Sequence, residues 1–113
     1  GAKKTMREPF VLHGGMFGLE VNRPRLFESK MPITVPRARA ARNAIGVYGR
    51  HHDGRRLWTR TDGSTQRAAA SLEEGQRAMG IDWMCWDDLR EAVPPSYTQF
   101  VGRQILERIG LAA

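Results

Sequence analysis

Proline and glycine interrupt the first seventy residues so often that only short apolar runs remain between them. Residues 10–12, for example, form an apolar run that lies between Pro9 and the pair Gly14 and Gly15. Runs of this length suit strands and are too short for ordinary helices. We therefore predict strands at residues 24–29, 31–35 and 44–49 as well as 10–12, and a small hairpin around 57–59. Pro32 should keep the 31–35 strand at a sheet edge, because proline cannot donate to a ladder.

After residue 70 the pattern becomes helical. Ser71 and Glu74 match a capping box, and Gly80 is a favoured residue just beyond a helix end, so a helix should span the interval. A second helix is predicted over 86–92, ending before Pro94, and a third from Ser96 onward. In the third, apolar residues recur every three or four positions, which predicts one buried face; they are Tyr97, Phe100, Val101, Ile105 and Ile109. The predicted fold class is α/β: short strands followed by three helices.

Composition is that of a globular protein in a single domain. The chain has 113 residues, of which 41% are hydrophobic and 27% charged. It has no apolar run near the ~20 residues that a membrane span needs, so no membrane is expected among its partners. Its one cysteine, Cys85, excludes an internal disulfide and is compatible with a reducing compartment, and we predict a cytoplasmic protein.

The positive charge is concentrated in one segment. The chain carries 18 basic and 12 acidic residues, a net charge of +6. Residues 37–67 contain eight of the basic residues and two acidic ones, which leaves ten of each elsewhere, so this segment carries the whole excess. Every basic residue in it is an arginine. They are Arg37, Arg39, Arg42, Arg50, Arg55, Arg56, Arg60 and Arg67.

An arginine-rich segment of this kind favours nucleic acid as a partner. The planar guanidinium binds phosphates and guanine edges in a bidentate manner that lysine cannot match, and phosphate neutralisation supplies most non-specific DNA affinity. All of these arginines except Arg67 are predicted to contact DNA. The alternative is a solvated loop without a target, or one that contacts an acidic protein.

Histidine and tryptophan give weaker indications. His13, His51 and His52 have no partner set at the spacing of metal ligands, so no metal site is predicted. Trp83 and Trp86, with Met84 between them in the chain, are expected to pack in the core; a platform for stacking nucleic-acid bases is the alternative.

Three blocks of the chain, in order, resemble late blocks of the DNA (cytosine-5) methyltransferases. FGLEVNRPRLF (17–27) resembles the family's Gly-Val-Pro-Gln-x-Arg-x-Arg-Val-Phe block, with Val21 in place of its glutamine. LEEGQRAMGI (72–81) looks like its Glu-x-x-Arg-Leu-x-Gly-Phe helix, and REAVPP (90–95) like its Gly-Asn-x-Val-Pro-Pro segment. MREPFVLHGGMFGL (6–19) is similar to a run in the compact methylases of bacteriophages and their actinobacterial hosts.

The resemblance implies the C-terminal half of a Rossmann-like, S-adenosylmethionine-dependent methyltransferase. The family's glycine-rich cofactor turn, its Pro-Cys nucleophile and its Glu-Asn-Val segment have no counterpart in these residues, and Cys85 follows Met84 rather than a proline. Such a half would have an incomplete sheet on its own. The partners implied are double-stranded DNA and an N-terminal methyltransferase half, in the same or a separate polypeptide, which would bind most of the cofactor.

Residue roles carry over from the matching positions. Arg23 and Arg25 resemble the arginine pair that lines the pocket of the flipped cytosine, and two positions apart on one strand they should point the same way. Glu91 and Val93 stand in a segment that lies near the cofactor in the family. Residues 1–36 would end the catalytic sheet, 37–70 would form a short basic insertion at the target-recognition position, and 71–113 would be closing helices.

The sequence therefore predicts part of an enzyme that transfers methyl groups from S-adenosylmethionine to cytosine in DNA, in a bacterium or as a phage protein in a bacterial host. The chain alone should be inactive. One alternative is a small basic module, descended from a methylase, that binds nucleic acid or docks a partner without catalysis. Another is a fragment of a longer protein.

Overall fold

A computed structural model describes residues 9–50 and 52–110, so Met6 and His51 from the sequence arguments lie outside the described residues. The first element is a two-stranded antiparallel sheet. Strand β1 (Phe10–Leu12) pairs with β2 (Arg25–Phe27) in the register Phe10–Phe27, Val11–Leu26 and Leu12–Arg25. A short 3-10 helix over Gly14–Phe17 leads out of β1. Both strands lie within the segments where the sequence predicts them.

A second sheet has three strands in the order β3-β5-β4. Strand β3 (Asn43–Gly46) runs parallel to β5 (Thr65–Ala68), and β4 (Leu57–Thr59) pairs with β5 in antiparallel fashion. The hairpin around 57–59 is therefore confirmed. Its second strand, which is the central strand of this sheet, was not predicted, because residues 65–68 lack apolar alternation.

The predicted strand at 31–35 is wrong, since residues 32–40 have no regular structure. Proline at positions 32 and 36 removes two backbone donors from this stretch. A side chain replaces the missing partner strand: the amide of Gln104 accepts from the Thr34 N–H at 2.8 Å and donates to the Thr34 carbonyl at 2.7 Å. The 44–49 prediction is right in place but too long, because β3 ends at Gly46.

The first helix is the predicted one. In α1 (Leu72–Met79) the Ser71 hydroxyl accepts from the Glu74 amide at 3.1 Å, and Gly80 follows with φ +72°. The reciprocal half of the capping box is displaced by one residue, because the Glu74 carboxylate accepts from the Ala70 amide at 2.8 Å.

The second helix is shorter than the predicted 86–92. Helix α2 (Trp86–Leu89) passes into tighter turns, in which the amides of Glu91 and Ala92 bond three residues back. This turn frees backbone carbonyls that accept from a distant arginine, described below. Helix α3 (Pro95–Arg108) begins one residue before the predicted Ser96.

The core lies between the three-stranded sheet and the first two helices. Buried in it are Val21, Val47, Ala69, Ala78, Met79, Ile81, Trp86 and Leu89. Trp86 therefore packs in the core as predicted, with Met84 partly buried against it, and its indole donates to the Gly49 carbonyl at 2.8 Å. Trp83 does not: its side chain is 66% exposed.

Helix α3 packs on the two-stranded sheet through aromatic rings. Tyr97 contacts Phe17 and Phe27 at centroid distances of 5.4 and 6.4 Å, and Phe100 contacts Phe17 at 5.5 Å. The buried face predicted for this helix is confirmed in its first turns and wrong at its end, where Ile109 is 49% exposed. The whole is an α/β fold of two small sheets and three helices. No helix in the described ranges is long and apolar enough to cross a membrane.

Candidate nucleic-acid interface

The Arg23 side chain ties three parts of the chain together. Its guanidinium donates to the carbonyls of Ala92 at 2.9 Å, of Val47 at 2.7 Å and of Arg90. Burial, reinforced by the nearby charge of Arg25, lowers the pKa of Arg23 to about 10, so the group stays charged at neutral pH. Its planar fork is used on backbone acceptors, which makes Arg23 a residue that fixes the shape of its surroundings.

The backbone at Arg23 is held as firmly as the side chain. Arg23 has φ +38° and lies before β2, so it does not share the strand geometry of Arg25, contrary to the sequence prediction. The buried Tyr97 hydroxyl lies 3.1 Å from the Asn22 carbonyl and 2.9 Å from that of Arg23. Burial raises the pKa of Tyr97 to about 12, so the hydroxyl remains a donor. Asn22 is itself paired with the backbone of Ala41 in both directions.

Arg25 stands at the start of β2 with a less committed side chain. Its one hydrogen bond among the described residues goes from Nη1 to the adjacent Pro24 carbonyl at 2.8 Å. Both arginines line a hollow of about 210 Å³, which we call the Arg25 hollow. Its other walls are formed by Val21, Pro24, Ile45, Gly46, Val47, Tyr48 and Gln66. Guanidinium groups against an otherwise largely apolar wall suit a ligand that is flat and carries a polar edge.

A second hollow gathers arginines from separate parts of the chain. It measures about 520 Å³ and brings together Arg39, Arg42 and Arg60; we call it the arginine hollow. Pro24 lines both this hollow and the Arg25 hollow, so the two are neighbours. Its one acidic lining residue, Asp62, accepts from the Ser64 amide and hydroxyl at 2.8 and 2.6 Å, which lowers the pKa of that carboxyl. Three cations near one neutralised turn make a surface suited to phosphate.

A third hollow, of about 560 Å³, lies over the three-stranded sheet, and we call it the aromatic hollow. Tyr48 and Trp58 meet in it edge to face at 5.2 Å, and Arg60 and Gln66 complete its lining with Thr59. Outside its wall the Arg56 guanidinium lies 5.1 Å from the Trp58 ring centroid. Tyr48 and Gln66 also line the Arg25 hollow, and Arg60 also lines the arginine hollow. The three hollows therefore form one continuous basic surface.

The predicted DNA-contacting arginines divide into two groups. Arg39, Arg42, Arg56 and Arg60 lie in or beside the hollows. Arg55 pairs with Asp53 at 3.4 Å and its side chain is 93% exposed, while Arg37 and Arg50 are exposed on the surface. Arg67, which was not assigned to DNA, makes a bidentate bond with Glu74 at 2.9 Å.

Glu91 and Val93 lie close to Arg23 but outside the three hollows. Both are exposed, and the Glu91 carboxylate is 3.4 Å from the Arg90 guanidinium. In this structure the two residues do not by themselves form a pocket for S-adenosylmethionine.

Two residues of the surface, Tyr48 and Gln66, were not anticipated. Gln66 belongs to the strand that the sequence pattern did not reveal. Tyr48 was assigned only to a strand, and its position beside the arginines depends on the parallel pairing of β3 with β5. The parallel pairing itself has no local sequence signal, because the two strands are joined through β4.

Comparison with known proteins adds no identification, since no family model, no curated protein and no solved structure matches this chain. Within the described ranges no group of three or more histidine, cysteine or acidic side chains is placed to hold a metal ion.

Proposed function

We propose that this chain is the C-terminal part of a DNA cytosine-5 methyltransferase, with Arg25 against the target cytosine and Arg23 holding the pocket wall. The observation that carries the proposal is the Arg25 hollow. The segment that resembles the family's double-arginine block lines a small recess, and that recess adjoins a basic surface. A flipped base and the phosphates beside it require these two features side by side.

The two arginines would have different roles. The guanidinium of Arg25 would stabilise negative charge on the base oxygen as a nucleophile adds to the ring, which is when that charge develops. Arg23 would act through its backbone bonds, as a positioning residue. The nucleophile and most of the S-adenosylmethionine site would come from an N-terminal half, and the cofactor would supply the methyl group. The setting proposed is the cytoplasm of a bacterium, with the protein of bacterial or phage origin.

Reconstitution tests the enzymatic proposal. The chain alone should transfer no labelled methyl group from S-adenosylmethionine to DNA, and activity should appear when an N-terminal half carrying a Pro-Cys segment is added. Replacing Arg25 by alanine should then lower the single-turnover rate by about 10²-fold, while DNA affinity changes far less. Arg37→Ala, an exposed arginine away from the hollows, is the matched control and should leave the rate unchanged.

Two results would contradict this proposal. Turnover by the chain alone would show that the missing segments are not essential. An Arg25→Ala protein that binds DNA weakly yet methylates normally at saturating DNA would show that Arg25 contacts phosphate and not the reacting base.

One feature favours the alternative, a nucleic-acid-binding module without catalysis. The core closes within the described residues, where Met79 and Leu89 are fully buried, and the three hollows are likewise lined by this chain alone. A module of this kind would bind DNA as tightly without an N-terminal half as with it. Measuring DNA affinity with and without that half therefore separates the two proposals.

A further inference from the structure

Gln66 is the one neutral amide at the place where the Arg25 hollow and the aromatic hollow meet. It lies on the central strand β5, between Ala44 of β3 and Trp58 of β4 in the sheet register. Residues paired across a sheet share a face, so Gln66 and Trp58 point to the same side. The central strand is the least mobile position in a three-stranded sheet, which makes it a rigid base for recognition.

The hydrogen-bonding capacity of Gln66 is unused. Its side chain is half-buried and makes no hydrogen bond within the described part of the chain, unlike Gln76 and Gln104, whose amides bond to backbone groups. Tyr48, in the same wall, has a buried hydroxyl that also has no partner among the described residues. Because nearly all buried polar groups in proteins are paired, two unpaired ones in a single wall indicate a ligand with polar edges.

The surroundings indicate which ligand. Arg60 lines the aromatic hollow beside Gln66, and Arg56 lies over Trp58, so cations border the amide on the outer side. On the inner side is the Arg25 hollow. A nucleotide next to a base in that hollow would place its phosphate near the arginines and its base edge near Gln66.

We propose that Gln66 reads the base that flanks the target cytosine in DNA. A glutamine amide presents one donor and one acceptor in a plane, and the matching base edge is that of adenine, which offers N7 as acceptor and the N6 amino group as donor. The inference rests on the proposed function, because it requires DNA on this surface with the cytosine in the Arg25 hollow.

Binding to a set of duplexes tests the inference without requiring methylation. In each duplex the target cytosine lies opposite an abasic site, which reduces the cost of flipping it, and the neighbouring base pair is varied through all four possibilities. Fluorescence anisotropy gives the dissociation constant for each. The unmodified chain should prefer adenine at one neighbouring position by about 5-fold or more.

Substitutions then separate recognition from structure. Gln66→Ala should abolish the preference, leave the average affinity nearly unchanged and leave the melting temperature unchanged, because the side chain bonds to nothing in the described structure. Gln66→Glu, of nearly the same shape, should move the preference toward cytosine, whose N4 amino group donates to a carboxylate. Gln99→Ala, an exposed glutamine on α3, is the matched control and should retain the adenine preference.

The outcomes separate this inference from the proposed function. Equal affinity for all four duplexes, or a preference that both Gln66 variants retain, would overturn the role of Gln66 while leaving DNA binding intact. Absence of binding to any duplex would overturn both. A preference that the alanine variant loses and the glutamate variant redirects is the supporting result.

Discussion

Replacing Arg23 by alanine should destabilise the fold strongly, whereas the same change at Arg25 should not. Arg23 donates to three backbone carbonyls in two distant segments, and alanine would leave all three without that donor. A hydrogen bond to a charged group contributes about 1.5–3 kcal/mol, and the desolvation cost that lowers the pKa of Arg23 offsets part of the sum, so we expect a net loss of about 3 kcal/mol. Arg25 bonds only to its neighbour Pro24 in the described structure, so its loss should cost less than about 0.5 kcal/mol.

Urea unfolding followed by circular dichroism measures the difference. With a urea dependence of about 1.5 kcal/mol per molar, the Arg23→Ala midpoint should fall by about 2 M and the Arg25→Ala midpoint by about 0.3 M or less. Arg23→Lys should lie closer to alanine than to the unmodified chain, because a lysine ammonium cannot reach three carbonyls set around a planar fork. Equal midpoints for the two alanine variants would refute the assignment of a structural role to Arg23 alone.

Three further predictions concern stability and DNA. Tyr97→Phe should cost about 1–2 kcal/mol in chemical unfolding, because two buried carbonyls lose their hydroxyl partner; an unchanged midpoint would contradict the observed contacts. The pKa of Glu74 is lowered mainly by its arginine partner, so it stabilises the fold above its ordinary value of 4.5 and ceases to do so as pH falls through the lower folded value; Glu74→Gln should therefore flatten the loss of stability between about pH 5 and 3. DNA affinity should fall with salt at a log-log slope of roughly −3 to −5, and Arg39→Ala with Arg60→Ala should reduce that slope by about 2 while Arg55→Ala reduces it by less than 1; a change of equal size for Arg55 would contradict the division of the arginines.

The sequence predicted the elements whose signals are local. The helix from Leu72 was marked by a capping serine and a closing glycine, and the short strand at 10–12 by glycine and proline around an apolar run. Both signals act over a few residues, so tertiary context changes them little.

Features that depend on distant partners could not be predicted. The 31–35 segment had strand-forming residues, but its backbone is satisfied by the side chain of Gln104, about seventy positions later. The central strand at 65–68 is stabilised by pairing on both sides and not by its own pattern. Within the candidate site the sequence indicated the arginines but not Gln66, because its neighbours in space belong to other strands.

The bonds from Tyr97 and from the Ala92 carbonyl to the turn at Asn22 and Arg23 have a consequence for folding during synthesis. These contacts join residues 69 to 75 positions apart, so the first sheet cannot be completed until the start of α3 has been made. At a translation rate of about 5–20 residues per second, the Asn22 turn would wait roughly 4–15 s for its tyrosine. During that interval the exposed edges of β1 and β2 would be open to pairing with other chains. Slow translation or a shortage of chaperones should therefore lower the yield of this protein through aggregation of nascent chains, even though the finished fold covers the same aromatic residues.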